Sequence, residues 1–201
     1  MPEIKHEGQR VAVLIDVQNL YYSARNIHNA KVNFGAVLKT ATSQRNLIRA
    51  FAYVVRTKTG EEKPFFEALT KLGIETRVRD LQEFFGGLKK ADWDVGITVD
   101  AIRISTSVDT IVLASGDGDF LQLIDYLKNQ GKRVEVIAFG KSASSKLRES
   151  ADEFIDLGED PETYLLDPTK QTKSVANLFP STEKQERRER TNAPRFMKLK
   201  K

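Results

Sequence analysis

Short apolar runs alternate along the chain with stretches whose apolar residues fall at helical spacing. Val11 to Asp16, VAVLID, is rich in β-branched residues and ends in a carboxylate, which predicts a buried strand. A helix is expected over Gln18 to Ala30, a second over Phe34 to Ala41, and a strand over Ile48 to Val55, followed by a Thr57-Lys-Thr-Gly60 turn. Glu61 to Leu72 carries Pro64 in its first turn and Phe65, Phe66, Leu69 and Leu72 at helical spacing, with Gly73 as its stop. Ile74 to Arg79 alternates as a strand does, and Asp92 to Ser105 reads as a helix with Val95, Val99 and Ile102 recurring at i, i+4 and i+7.

Thr110 to Ala114, TIVLA, is a second buried strand, and Ser115-Gly-Asp-Gly-Asp119 is a turn. A helix then runs from Phe120 to Gln130 with Leu121, Ile124, Tyr126 and Leu127 inward, closed by Gly131. Val134 to Phe139 is the next strand, Ser144 and Ser145 cap a helix to about Ala151, and Phe154 to Leu157 is an edge strand. Strands alternating with helices predict a three-layer α/β/α sandwich with a mostly parallel central sheet. Residues 1–10 form a lead-in and 11–167 the domain. Apolar density falls after Pro168, so residues 168–201 read as a disordered basic tail, with Leu178-Phe179-Pro180 and Phe196-Met197 as isolated apolar exceptions.

Composition narrows the chemistry. The chain of 201 residues has no cysteine and two histidines, His6 and His28, which removes disulfides, thiolate metal sites, cysteine nucleophiles and histidine-rich metal cages. Any metal must therefore be held by carboxylates. No apolar run approaches the roughly 20 residues of a membrane span, and MPEIKHEGQR lacks the apolar segment of a secretory signal, so the cytoplasm is the expected location. The formal charge of +4 is uneven: Ser181 to Lys201 carries a net +5 and residues 1–180 a net −1. Attraction to phosphates is then expected from the tail or from local patches.

In an open parallel sheet, ligands bind where the loops at the carboxyl ends of the strands converge. Asp16 ends the first strand, and Asp117 and Asp119 follow the strand ending at Ala114. Adjacent strands would crowd these carboxylates together, and their repulsion is relieved most cheaply by Mg²⁺ or Mn²⁺, which take oxygen ligands. Asn19, three residues beyond Asp16, offers an amide for a helix cap or a substrate oxygen, and Asp94 starts a helix, where negative charge is favoured. Asp100, six residues on, lies about 120° round and roughly 9 Å along that helix, as well placed for a structural role as for catalysis. Gly116 and Gly118 permit a tight turn and the approach of a phosphate. There is no GxxxxGK[ST] loop, no GxGxxG after a strand and no calcium loop, and Ser115 has no nearby histidine base.

Three ordered segments resemble the motifs of the NYN domain in its LabA-like branch: Ile15-Asp16-Val17-Gln18-Asn19-Leu20-Tyr21, Trp93-Asp94-Val95-Gly96-Ile97-Thr98-Val99-Asp100 and Ser115-Gly116-Asp117-Gly118-Asp119-Phe120. The resemblance runs from about Val11 to Leu157. It implies a PIN-like nuclease fold and metal-dependent RNA cleavage, with Asp16, Asp94, Asp117 and Asp119 as catalytic, metal-binding acids. Asp16 and Asp117 are expected to hold the principal Mg²⁺ or Mn²⁺; Asp94 and Asp119 complete its shell, bind a second ion or orient the attacking water. Single-stranded RNA is the expected partner, contacted by Asn19, Arg25, Lys89, Lys90, Ser115 and the tail, with Tyr21, Tyr22 or Trp93 available for stacking. Ala91 and Asp92 stand where the family commonly has Lys-Gly. Two other readings are binding of RNA or a regulatory protein without turnover, and a phosphomonoesterase, which Gln18 disfavours because that chemistry wants an acid there. Leu81 to Leu88, LQEFFGGL, or a sheet edge offers a surface for a homodimer.

Overall fold

The computed structural model describes residues 5–56, 62–80, 82–83, 89–90 and 92–166. The tail, the Thr57-Lys-Thr-Gly60 turn, most of Leu81 to Leu88 and both apolar exceptions of the tail lie outside them. In chain order the elements are β1 (Arg10–Asp16), α1 (Val17–His28), β2 (Lys31–Val32), α2 (Phe34–Thr42), β3 (Asn46–Arg56), α3 (Lys63–Lys71) and β4 (Glu75–Asp80). Then follow β5 (Gln82–Glu83), β6 (Lys89–Lys90), α4 (Asp94–Ser105), β7 (Thr110–Ala114), a 3-10 turn at Gly118–Phe120, and α5 (Leu121–Asn129). The last elements are β8 (Arg133–Ala138), α6 (Ser145–Ser150), β9 (Glu153–Asp156), α7 (Pro161–Tyr164) and β10 (Leu165–Leu166).

Six strands form one sheet in the order β4-β3-β1-β7-β8-β9, and every neighbouring pair is parallel. The chain winds outward from β1 to β3 and β4, returns across the sheet, and winds the other way through β7, β8 and β9. Right-handed crossovers must then place the helices of the two halves on opposite faces. Accordingly Val11, Val13 and Ile15 of β1 pack beneath α1, α2 and α3, while Ala12 and Leu14 pack beneath α4, α5 and α6. Residues 11–15 are fully buried, as expected for a central strand covered on both faces. Gly73 and Gly131 end their helices with φ of 77° and 73°, conformations that other residues adopt at a cost.

Three details differ from the sequence reading. On α4 the buried residues are Ile97, Ala101 and Ser105, whereas Val95 is 71% exposed and Val99 38% exposed. The helix is apolar on several sides, and small Ala101 and Ser105 let it approach the sheet closely. On α5, Leu123 takes the inward place expected for Tyr126, which is exposed. The two-residue strands β2 and β10 pair antiparallel, Val32 with Leu165 and Lys31 with Leu166; they are too short to have a periodic signature. Among the described residues no helix is long and apolar enough to cross a membrane.

The end of the sheet where the strands begin is held by a buried ion cluster. The Arg45 guanidinium, fully buried, binds both carboxylate oxygens of Glu135 at 2.8 Å and donates to the carbonyls of Ala41 and Thr42 at the end of α2. Burial pushes the Glu135 carboxyl up, but hydrogen bonds from Arg45 and Arg133 outweigh it and the group lies below its ordinary value. At the opposite end, Trp93 precedes α4 and its indole N–H donates to the Val54 carbonyl at 2.9 Å, while its ring meets Tyr53 at 5.4 Å. The indole lies over Gly96, where a Cβ would come within 2.5 Å of the ring.

Glu135→Gln leaves the Arg45 charge buried with half its partner, and a loss of about 3–5 kcal/mol is expected by urea unfolding. Removing the exposed Arg56–Asp80 pair, by Arg56→Gln, should change stability by no more than about 1 kcal/mol. Gly96→Ala, which in an open helix would gain up to about 1 kcal/mol of propensity, is expected instead to lower the melting temperature, because the pinned indole cannot yield.

Candidate functional site

The reversal of winding falls between β1 and β7, the place where an open α/β sheet forms a crevice at its carboxyl end. Ile15 and Ala114 are register partners, so Asp16 and Ser115 leave the sheet side by side. Asp16 caps α1 by accepting from the Asn19 backbone N–H at 3.1 Å, and its other oxygen accepts from the Ser115 hydroxyl at 3.2 Å. The Ser115 oxygen in turn accepts from the Asp117 N–H at 3.3 Å. Asn19 closes the latch, its side-chain oxygen accepting from the Gly116 N–H at 2.9 Å. Helix α1 and the loop after β7 are thus tied together by side chains from the first and third motifs.

Asp117 caps the 3-10 turn through the Asp119 N–H at 3.0 Å, which turns both acids onto one short loop. A Cβ on Gly116 would lie 3.0 Å from the Ala143 backbone, and one on Gly118 3.0 Å from the Ser144 hydroxyl. Neither glycine has a positive φ, so close approach of the 143–144 segment, rather than an unusual turn, is what these positions require. Asp94 arrives from the third direction, on the first turn of α4, set there by the Trp93 anchor.

Asp94, Asp117 and Asp119 each offer an oxygen within 4.8 Å of the others. Asp94 and Asp117 are half-buried and Asp119 is exposed, so the trio opens to solvent. Asp16 stands behind it, only 8% exposed. Burial, more than any other cause, pushes its carboxyl up to about 6, with further upward pressure from the Asp94 and Asp117 charges, against the hydrogen bonds from Asn19 and Ser115. The sequence reading paired Asp16 with Asp117 around the principal ion; in the structure the mutually closest acids are Asp94, Asp117 and Asp119, and both Asp16 oxygens are engaged within the fold. An all-carboxylate donor set of this kind fits a hard divalent cation and does not fit thiolate- or imidazole-seeking metals.

The remaining expected residues separate. Ser115 is fully buried with its hydroxyl spent on Asp16 and Asp117, the geometry of a residue that orients acids rather than one that meets a substrate. Asn19 keeps its side-chain N–H₂ without a hydrogen bond among the described residues. Arg25 is partly buried two turns further along α1, beside Tyr22. Lys89 and Lys90 pair with Glu83 and Gln82 along the backbone, and their side chains lie outside the described residues. Asp100 is held away from the trio by the Tyr53 hydroxyl at 3.1 Å and Arg77 Nε at 3.3 Å. Trp93 is committed to packing, and Tyr21 is buried against Tyr22 at 5.5 Å. Sequence reasoning missed Arg77 and Arg79, which sit beside this end of α4. Their alternation on β4 was the available signal.

Comparison with known proteins agrees with this architecture. The chain is similar to the low amplitude and bright protein LabA of Synechococcus elongatus, 27% identical over 165 residues covering 75% of this chain and 84% of LabA. It is 28% identical to an uncharacterised protein of Methanocaldococcus jannaschii, over 91% of this chain and 69% of that protein. A solved structure of a Vibrio parahaemolyticus protein of unknown function is similar with a TM-score of 0.73 and 31% identity, covering 82% of this chain and all of that one. Residues 10–158, which include Asp16 and the Asp94, Asp117 and Asp119 trio, match the NYN domain, and the chain therefore belongs to the NYN domain family, within the PIN-like nuclease superfamily.

Proposed function

We propose that the protein is a metal-dependent ribonuclease that hydrolyses RNA phosphodiester bonds at the Asp94, Asp117 and Asp119 trio. The observation that carries this reading is the convergence of the three acids within 4.8 Å at the sheet's switch point in a chain of the NYN family. Asp94, Asp117 and Asp119 would hold Mg²⁺ or Mn²⁺. When bound, such an ion lowers the pKa of water and offsets charge on the phosphate being attacked. Asp117 is fixed for this by its own cap on the Asp119 N–H and by the Ser115 hydroxyl at its backbone. The free N–H₂ of Asn19, beside the same loop, donates to a non-bridging phosphate oxygen. Asp16 adds negative charge from behind and holds Ser115 and α1 in place, so it acts as a positioning residue.

RNA is the substrate class the family favours, and an open trio rather than a deep cavity suits a polymer threaded across the surface. Single strands leave both the phosphate and the neighbouring bases accessible. A cytoplasmic setting goes with such a substrate.

Purified full-length protein with Mn²⁺ is expected to cut a labelled single-stranded RNA, and chelation with EDTA to stop it. Asp117→Asn should lower the rate by about 100-fold or more while leaving the melting temperature unchanged, because the amide oxygen still accepts from Asp119. Asp16→Asn should also lose cleavage, yet melt at or above the native temperature in EDTA, since it removes a charge that is costly to bury and that Asp94 and Asp117 further disfavour. RNA binding without metal-dependent cutting, or equal cutting by Asp117→Asn, would contradict the assignment.

A further inference from the structure

Beside the acidic trio, on the α4 face of the sheet, the outer strands carry a run of arginines. Alternation along β3 and β4 puts Phe51 and Tyr53 on that face with Glu75, Arg77 and Arg79, the register pairing Phe51 with Glu75 and Tyr53 with Arg77. The guanidiniums of Arg49 and Arg77 both lie on the Phe51 ring, at 4.7 and 4.8 Å from its centroid, and that of Arg79 lies on Trp93 at 4.6 Å. Aromatic seating of this kind holds a planar fork in one orientation, which lowers the entropy lost when it meets an anion.

These arginines are not equally neutralised. Arg49 is bound to the Glu75 carboxylate through Nε at 2.7 Å and again through Nη2. Arg77 makes one contact of 3.3 Å, through Nε, to an Asp100 that also serves Tyr53 and Arg103, and its terminal nitrogens make no hydrogen bond among the described residues. Arg79 donates from Nη1 to the Asp92 carbonyl at 2.6 Å and has no carboxylate partner among the described residues. Two cationic forks with N–H groups unbonded among the described residues therefore rise from backbone positions about 6.6 Å apart along the strand, a spacing comparable with that of successive phosphates in an extended strand. The nearer of them leans on Trp93, the residue immediately before Asp94.

We infer that Arg77 and Arg79 form a cradle for two consecutive phosphates of a single-stranded nucleic acid, seating the strand beside the scissile bond. The inference deepens the ribonuclease reading and rests on it for the identity of the ligand. Arg77 grips the more distant phosphate through its terminal nitrogens. Arg79 takes the nearer one with the fork edge left free by Asp92, and the indole beneath it keeps that edge at the level of the acids. Because the contacts are to phosphate, the cradle carries no base preference.

Fluorescence anisotropy with a labelled 12-nucleotide RNA, and its DNA counterpart, tests the cradle in Asp117→Asn protein in EDTA, where nothing is cut. Adding Arg77→Gln and Arg79→Gln together is expected to weaken binding at least about tenfold at low salt and to lower the slope of log affinity against log salt by about 1.4, roughly 0.7 for each phosphate no longer neutralised. Arg10→Gln, at the opposite end of the sheet and paired with Asp109, is the charge-matched control and should leave the slope unchanged. Arg79→Lys should recover most of the slope but only part of the affinity. A lower melting temperature with an unchanged slope would make both arginines structural and overturn the cradle. Cleavage by the otherwise native protein is measured alongside: active protein with an unaltered slope sinks the cradle alone, whereas an altered slope in a protein that never cuts leaves the cradle standing and sinks the ribonuclease assignment.

Discussion

Like charges gathered where a parallel sheet reverses its winding are the constraint on which the rest of the structure depends. The carboxyl ends of β1 and β7 are adjacent because the chain crosses the sheet between them, and Asp16 and the 115–119 loop leave the sheet together. The fold brings Asp94 to the same place from α4. Ionising Asp16, the most deeply buried of the four, is costly: its carboxyl is pushed up to about 6, chiefly by burial and further by the Asp94 and Asp117 charges. Hydrogen bonds from Ser115 and Asn19 lessen that cost without cancelling it.

Rigid supports hold the acids against this repulsion. The latch of Asp16, Asn19, Ser115 and Gly116 joins α1 to the loop after β7, so neither can shift alone. Trp93 fixes the start of α4 to β3 through the Val54 carbonyl, and Gly96 leaves room for it. At the far end, Arg45 and Glu135 join the end of α2 to β8 with a fully buried, bidentate pair. The polar groups that shape the site are thus paired within the fold, while among the described residues the Asp119 carboxylate and the side-chain N–H₂ of Asn19 have no hydrogen-bond partner.

The sheet was legible in the sequence because its strands are short apolar runs bounded by strong stops, and the helices were legible through Pro64, Gly73 and Gly131. Asp16, Asp117 and Asp119 stood out as carboxylates at strand ends and Asp94 as one at a helix start, but their placement relative to one another did not. Only the folded chain shows that Asp16 spends both oxygens on Asn19 and Ser115, leaving Asp94, Asp117 and Asp119 as the mutually closest set. On α4, Val95 and Val99 have the right spacing for an inner face, yet Ile97, Ala101 and Ser105 occupy it, since small residues that permit close packing carry no strong apolar signal. For the arginines of β4 the sequence offers only their alternation. Their meaning comes from Phe51 and Trp93, distant in sequence, lying beneath them.

An anomalous difference map from crystals soaked in Mn²⁺ tests the central claim most directly. The expected result is a peak bounded by the Asp94, Asp117 and Asp119 carboxylates, with the Asp16 oxygens still bonded to Asn19 and Ser115. A map with no density at the trio at saturating Mn²⁺, or with the ion bound elsewhere while the trio stays bare, would contradict it.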